Sequence, residues 1–175
     1  MLKPGDPAPP FDLPSALDDQ LSRLSLASIR YEMVVLFFYP RDFSFICPTE
    51  VIGFHKARAA FQAENTVIVG ISVDDAETHR RWARELGGLG FPLLADEGGK
   101  VARAFGVFDD QENVALRATF ILDAKRIILY AVASPVNVGR SVGETLRVVQ
   151  ALRSGKLCPA DWQPGTDIEP TDAKY

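Results

Sequence analysis

The sequence is poor in the side chains that most often bind metals: two cysteines and two histidines in 175 residues. Cys47 and Cys158 stand 111 positions apart (158 − 47), which is neither the pattern of a secreted disulfide scaffold nor a metal-ligand spacing. His55 and His79 fall on what read as polar helix faces, so they are expected to be surface or helix-packing residues. No apolar run approaches the ~20 residues of a membrane-crossing helix. Met1-Leu2-Lys3-Pro4-Gly5 shows no signal-peptide core, so the expected compartment is the cytoplasm. Positive charge is in short supply. A net charge of −4 and a pI near 5.2 argue against a nucleic-acid or anionic-membrane surface. No repeat and no composition shift divides the chain, so one domain over residues 1–175 is expected, with 154–175 an irregular tail holding the second cysteine. Hydrophobic residues at 47% and charged residues at 24% are enough for an ordinary globular core. Two lone cysteines in a reducing compartment then point to redox chemistry.

The richest stretch runs from Met33 to Phe61. Met33-Val34-Val35-Leu36-Phe37-Phe38-Tyr39 is apolar throughout, the mark of a strand covered on both faces. Beyond Cys47, residues Val51, Phe54, Ala57 and Phe61 recur at helical spacing among Lys56, Arg58 and Glu64. Pro48 suits a first helical position, and Glu50 stands where a capping-box carboxylate reaches back to the helix entry. Cys47 is therefore expected at a helix N-terminus, beside free N–H groups and the positive end of the helix dipole.

That position matters for a thiol. A helix start or a nearby cation brings a cysteine pKa from about 8.5 down to roughly 3.5–7.5. A value of ~6 would raise the thiolate fraction at pH 7 some thirtyfold. Nucleophilicity would fall about tenfold over the same ~2.5 units, leaving only a ~threefold gain. Positioned donors must supply the rest of any fast chemistry. Ser44 is one candidate and an arginine from elsewhere in the chain another. A free cysteine is also a common core residue, and helix-start placement alone leaves packing and chemistry evenly matched.

The proline-rich opening from Lys3 to Pro14 is unsuited to a helix or a central strand. Thr66 to Val73 reads as a second buried strand, and Ala76 to Leu86 as a helix stopped by Gly87-Gly88. Phe91 to Asp96 is a short strand, and Gly99 to Phe105 one or two helical turns. Leu116 to Asp123 and Arg126 to Val132 read as strands joined by a tight Ala124-Lys125 hairpin. Ser141 to Leu152 is a third helix opened by a Ser141-x-x-Glu144 capping box. The expected class is α/β, a mixed central sheet flanked by helices.

Pro40-x-x-x-Ser44-x-x-Cys47 matches the Pro-x-x-x-Thr/Ser-x-x-Cys signature of the peroxiredoxins. Phe38-Tyr39-Pro40 with Cys47-Pro48-Thr49-Glu50 resembles their typical two-cysteine branch, which includes the peroxidase component of alkyl hydroperoxide reductase. The likeness continues through most of the chain, and the Lys3 to Pro14 opening is similar to one that packs in such proteins as an irregular arm and short hairpin. It implies a thioredoxin-like fold and a thiol-dependent peroxidase acting on hydrogen peroxide and organic hydroperoxides, with no cofactor and no metal. By the same likeness the Ser44 hydroxyl would bond peroxide and thiolate, and the Pro40 ring would shield the sulfur from water. Arg117, in Ala115-Leu116-Arg117-Ala118-Thr119-Phe120, resembles the arginine that touches the sulfur and holds the departing oxygen. Arg140, in Val138-Gly139-Arg140-Ser141, resembles a second arginine linked to the Glu50 and Arg117 positions. Trp82 reads as packing, at a position that lies near the family's active site. Cys158, in Gly155-Lys156-Leu157-Cys158-Pro159, resembles the resolving cysteine that forms a disulfide with the partner subunit; spacing alone leaves an unpaired tail thiol equally open.

The partners implied are a peroxide and a thioredoxin-like or flavoprotein disulfide reductase. A homodimer is also implied, paired through the apolar Arg126 to Val132 edge and assembled in many relatives into a decamer. A thioredoxin-like disulfide exchanger would carry Cys-x-x-Cys, which Cys47-Pro48-Thr49-Glu50 is not. A holdase chaperone or a peroxide sensor stays open. Gly87-Gly88-Leu89-Gly90 resembles a motif of easily overoxidised relatives, but the ending Ala173-Lys174-Tyr175 lacks their Tyr-Phe pair. Resistance to overoxidation is the expectation.

Overall fold

The computed structural model describes residues 1–166. Its centre is a seven-stranded sheet in the order β2-β1-β5-β4-β3-β8-β9. The strands are β1 (Asp12–Leu17), β2 (Gln20–Ser25), β3 (Met33–Phe38), β4 (Thr66–Ser72), β5 (Leu93–Ala95), β8 (Arg117–Leu122) and β9 (Ile128–Ser134). Two-residue strands β6 (Phe108–Asp109) and β7 (Val114–Ala115) form a separate ribbon. Helices α1 (Cys47–Ala63), α2 (Ala76–Glu85), α3 (Lys100–Ala104) and α4 (Val142–Ser154) complete the set. Strands β3, β4 and β5 run parallel, and β8, β9, β1 and β2 join antiparallel. This is the mixed α/β, thioredoxin-like architecture.

The continuous apolar run of β3 is explained by its central place, between β4 and β8, with helical layers on both faces. Its side chains alternate. Val34, Leu36 and Phe38 join a core with Val101, Phe105 and Phe120, whereas Val35, Phe37 and Tyr39 face Phe54 of α1, Trp82 of α2 and Val149 of α4. Cys47 belongs to the second of these cores. Gly70 in β4 makes room there: a Cβ on it would lie 2.7 Å from both Leu93 Cδ2 and Phe37 Cζ.

Several expectations need correction. The proline-rich opening leads directly into β1, which is interior to the sheet; Pro14 is tolerated because it pairs with Arg23 of edge strand β2, while β5 pairs only with Ser15 and Ala16. The β8–β9 connection is longer than two residues. The Asp123 carboxylate accepts the N–H groups of Lys125 and Ile127, Arg126 takes φ +64°, and β9 begins at Ile128. Only half of the Ser141 capping box forms: the hydroxyl accepts the Glu144 N–H, but the Glu144 carboxylate pairs with Arg147. β9 lies at a sheet edge. The Ala173-Lys174-Tyr175 ending lies outside the described residues.

Candidate active site

Cys47 is the first residue of α1 and has no exposed surface. Pro48 follows as the second helical residue, where a missing N–H also costs nothing. The cap residue, Ile46, offers no side-chain acceptor, so the first turn is held differently from a capping box. Ser44 Oγ accepts the Cys47 N–H at 3.4 Å, and Thr49 Oγ1 donates to the Ile46 carbonyl at 2.7 Å. Glu50 does not reach back to the helix entry, because two arginines claim its carboxylate.

Arg117 opens β8, and the antiparallel register Phe38↔Ala118 sets that opening beside the end of β3. Its Nη1 donates to Cys47 Sγ at 3.3 Å and to Glu50 Oε2 at 2.7 Å, while Nε donates to the Val136 carbonyl at 2.7 Å. Arg140 approaches Glu50 from the other side. Its backbone N–H and its Nε donate to Glu50 Oε1 at 2.8 and 3.0 Å. Its Nη1 donates to the Ala118 carbonyl and Thr119 Oγ1, both at 3.0 Å, and its Nη2 to the Phe38 carbonyl at 2.5 Å. Arg140 thus spans the ends of β3 and β8 and lies over the Phe37 ring at 5.3 Å. Burial lowers its pKa from the ordinary arginine value, with the Glu50 charge opposing that shift.

The electrostatics follow from a charge count. Two buried guanidiniums face one buried carboxylate, an excess of one positive charge against the sulfur. An anion at Sγ would balance the cluster, and a transient oxyanion beside it would meet a donor already in place. Pro40 is buried two residues past the end of β3. Of the residues anticipated from the sequence, Cys47, Glu50, Arg117 and Arg140 form one hydrogen-bonded cluster. Ser44 joins it through the Cys47 backbone.

Cys158 lies elsewhere. It follows the C-terminus of α4, which ends at Gly155 with φ +63°. Its half-buried sulfur is 3.6 Å from Ser154 Oγ and 3.8 Å from the Ala151 carbonyl. It lines an open cleft of about 540 Å³ with Tyr130, Arg147 and Leu152. The N-terminus of α4 adjoins Glu50 through Arg140, whereas Cys158 sits past its C-terminus. At ~1.5 Å per residue the 13-residue helix spans about 20 Å. A disulfide requires Cα atoms about 4.4–6.8 Å apart, so the two cysteines of one chain are not positioned to bond.

The sequence reading missed a second polar group. His79 is fully buried, not on a polar face, and its Nδ1 is 2.7 Å from Asp42 Oδ2. Tyr39 OH donates to Asp42 Oδ1 at 2.7 Å. The phase of α2 carried the signal: His79, Trp82 and Ala83, at i, i+3 and i+4, share one face, and all three are buried. Trp82 packs on Tyr39 at 5.9 Å and Phe43 at 6.2 Å between ring centres. His55, as expected, is a surface helix residue, held to the Leu89 carbonyl at 2.7 Å.

Known proteins resemble this chain in sequence and in fold. The model of the AhpC/TSA family matches residues 4–131, which include Cys47 and Arg117. Peroxiredoxin prdx-2 of Caenorhabditis elegans is 41% identical over 173 residues, covering 93% of this chain and 86% of the relative. Peroxiredoxin-2 of Cricetulus griseus is 42% identical over 93% of this chain and 87% of its own length. Among solved structures, the reduced 2-Cys peroxiredoxin of Plasmodium vivax superposes with a TM-score of 0.87 at 34% identity, covering 95% of this chain and 92% of that one. Mycobacterium tuberculosis AhpC gives 0.85 at 32%, covering 93% and 99%. The family model takes in the start of α1 and the opening of β8, these relatives cover more than nine-tenths of the chain, and on that ground the chain belongs to the AhpC/TSA family and is a peroxiredoxin.

Proposed function

We propose that Cys47 is the peroxide-reducing thiol and that Cys158 of a second subunit resolves it. The observation that carries this reading is the Arg117 Nη1 donor 3.3 Å from Cys47 Sγ, fixed from behind by Glu50. In the first step the Cys47 thiolate attacks one peroxide oxygen and the O–O bond breaks. Sulfur loses two electrons, the peroxide gains them, and the departing oxygen takes a proton to leave as water or an alcohol. Arg117 stabilises the charge on that oxygen and Ser44 orients the incoming peroxide. The resulting sulfenic acid condenses with the Cys158 thiol, forming an S–S bond and releasing water. A subunit cannot perform this alone while its two cysteines stand at opposite ends of α4, which supports an exchange between subunits. β9, an edge strand with Val132 exposed, is the surface for dimer pairing, and rings of dimers would follow as in relatives.

A dithiol reductant, thioredoxin-like or flavoprotein, then reduces the disulfide and returns both thiols. Recycling of that kind would serve cytoplasmic redox homeostasis. The test is a peroxide titration of reduced protein read on a non-reducing gel. Wild type should give a disulfide-linked dimer, and Cys47→Ser should neither consume peroxide nor cross-link. Cys158→Ser should consume one equivalent and stop as a monomer under denaturing conditions. Peroxide consumption by Cys47→Ser would overturn the assignment.

A further inference from the structure

Among the described residues two buried acids take no part in the chemistry above: Asp96, whose carboxylate accepts the Val101 and Ala102 N–H groups at the start of α3, and Asp42. Between Pro40 and Cys47 the chain runs from β3 into α1 almost without anchorage. Arg41, Phe43 and Phe45 are exposed, the last by 96%, and Ser44 and Ile46 are half-buried. Asp42 is the one buried side chain in this stretch, and it is an acid. Phe43 beside it takes φ +52°, a conformation that an aromatic residue adopts only when its surroundings impose it.

The N–H and both carboxylate oxygens of Asp42 have partners outside the loop or at its root. Its N–H donates to Asp74 Oδ2 at 2.8 Å, and Asp74 is itself fixed by the Ser72 hydroxyl at 2.7 Å. Oδ1 accepts the Tyr39 hydroxyl at 2.7 Å, and Oδ2 lies 2.7 Å from His79 Nδ1. His79 Nε2 lies 3.1 Å from the Leu94 carbonyl of β5 and must carry a hydrogen to bond it. One further proton is then required between Nδ1 and Oδ2. With it in place, on either atom, every contact joins a donor to an acceptor; without it, two acceptors face each other in a dry site. Burial and the Asp42 charge raise the Tyr39 pKa well above the ordinary tyrosine value, which keeps its phenol a donor. The same latch therefore ties the loop to β3, β5 and α2 at once.

We propose that the Asp42–His79 pair, with Tyr39, is a positioning unit: it locks the segment 40–46 so that Ser44 and the first turn of α1 hold Cys47 against Arg117. The inference rests on Cys47 being the reactive thiol. With the latch opened, the loop relaxes from the strained Phe43 conformation and carries Ser44 and Cys47 away from the guanidinium. Displacement of reacting groups by about 1 Å costs up to roughly 100-fold in rate. Asp42→Ala and His79→Ala should then slow the reaction of Cys47 with hydrogen peroxide by about 10- to 100-fold. Asp42→Asn is the rescuing variant. Its amide N–H can donate to Nδ1 of a neutral His79 and its carbonyl can accept from Tyr39, so it should recover most of that loss.

The experiment pairs a rapid-mixing peroxide rate with amide hydrogen exchange on the reduced full-length protein. Faster exchange confined to residues 41–49 in Asp42→Ala, with β3 and β8 as protected as in wild type and Asp42→Asn near wild type, is the expected result. A peroxide rate for Asp42→Ala within threefold of wild type would overturn the proposal, and so would exchange that rises equally in β3 and β8. If Asp42→Ala does not fold, Tyr39→Phe removes a single hydroxyl and should still raise exchange at 41–47; unchanged exchange there also refutes the latch. Exchange reports on the loop whether or not Cys47 reacts with peroxide, whereas peroxide consumption by Cys47→Ser would refute only the assignment of the thiol.

Discussion

Replacing Arg117 with methionine keeps most of the aliphatic stem and removes the guanidinium, and two consequences can be worked out separately. The first is chemical. The lost Nη1 donor stands 3.3 Å from Cys47 Sγ in a site closed to solvent. Removing one preorganised donor of that kind costs about 2.7–4 kcal/mol of transition-state stabilisation, or 100- to 1,000-fold in rate. The second is structural. Glu50 loses one of its two arginines, and breaking a buried ion pair costs about 3–5 kcal/mol. Arg140 remains within 3.0 Å of Glu50 and holds the loss near the lower limit. At roughly 2–4 °C per kcal/mol for a chain of this size, Tm should fall by about 6–12 °C, so the variant stays folded at 25 °C. Stopped-flow fluorescence is the assay, since Trp82 packs on Tyr39 and Phe43 beside the reacting loop. Arg117→Lys should recover only a small part of the rate, because one ammonium cannot reach Sγ, Glu50 and the Val136 carbonyl together. A rate constant for Arg117→Met within threefold of wild type, with circular dichroism unchanged, would refute the reasoning.

Three further outcomes are expected. Glu50→Ala leaves two buried guanidiniums facing each other and should destabilise the fold by at least the ~3–5 kcal/mol of a broken buried pair, read as a lower denaturation midpoint. Gly70→Ala forces a Cβ within 2.7 Å of Leu93 and Phe37 and should cost about 1–3 kcal/mol, measured by thermal unfolding. Asp75 caps α2 by accepting the Thr78 N–H at 2.8 Å, and that bond holds its pKa below the ordinary aspartate value. With the folded pKa depressed, the cap's contribution is present above the unfolded value of about 3.9 and is lost as pH falls through the folded value. Asp75→Ala should therefore lower stability by about 1 kcal/mol at pH 7, and the difference from wild type should vanish in strong acid.

What was legible from sequence divides by the range of the interaction. β3 could be read because a strand covered on both faces carries an unbroken apolar run, β4 and β8 because theirs are nearly so, and α1 because its apolar positions keep helical phase. The β1–β2 hairpin was legible only through the family likeness of the opening, since its residues are half polar and prolines punctuate the approach. Glu50 looked like a local cap because only local partners can be weighed from spacing; its true partners lie 67 and 90 residues away. Arg117 and Arg140 were found through the family likeness, not through any pattern of their own. The Asp42–His79 contact spans 37 residues and joins two segments that look solvent-facing until α2 is set on the sheet.

The antiparallel register of β3 against β8 works as a ruler for the contact between Arg117 and Cys47. Because Phe38 faces Ala118, the strand that delivers the cysteine loop ends where Arg117 begins. Sliding β8 by a single residue would shift the guanidinium by about 3.4 Å and turn it to the opposite face of the sheet. One extra residue between Leu116 and Thr119 should therefore break the Cys47–Arg117 contact, and because every side chain of β8 is buried it should cost packing as well as reactivity.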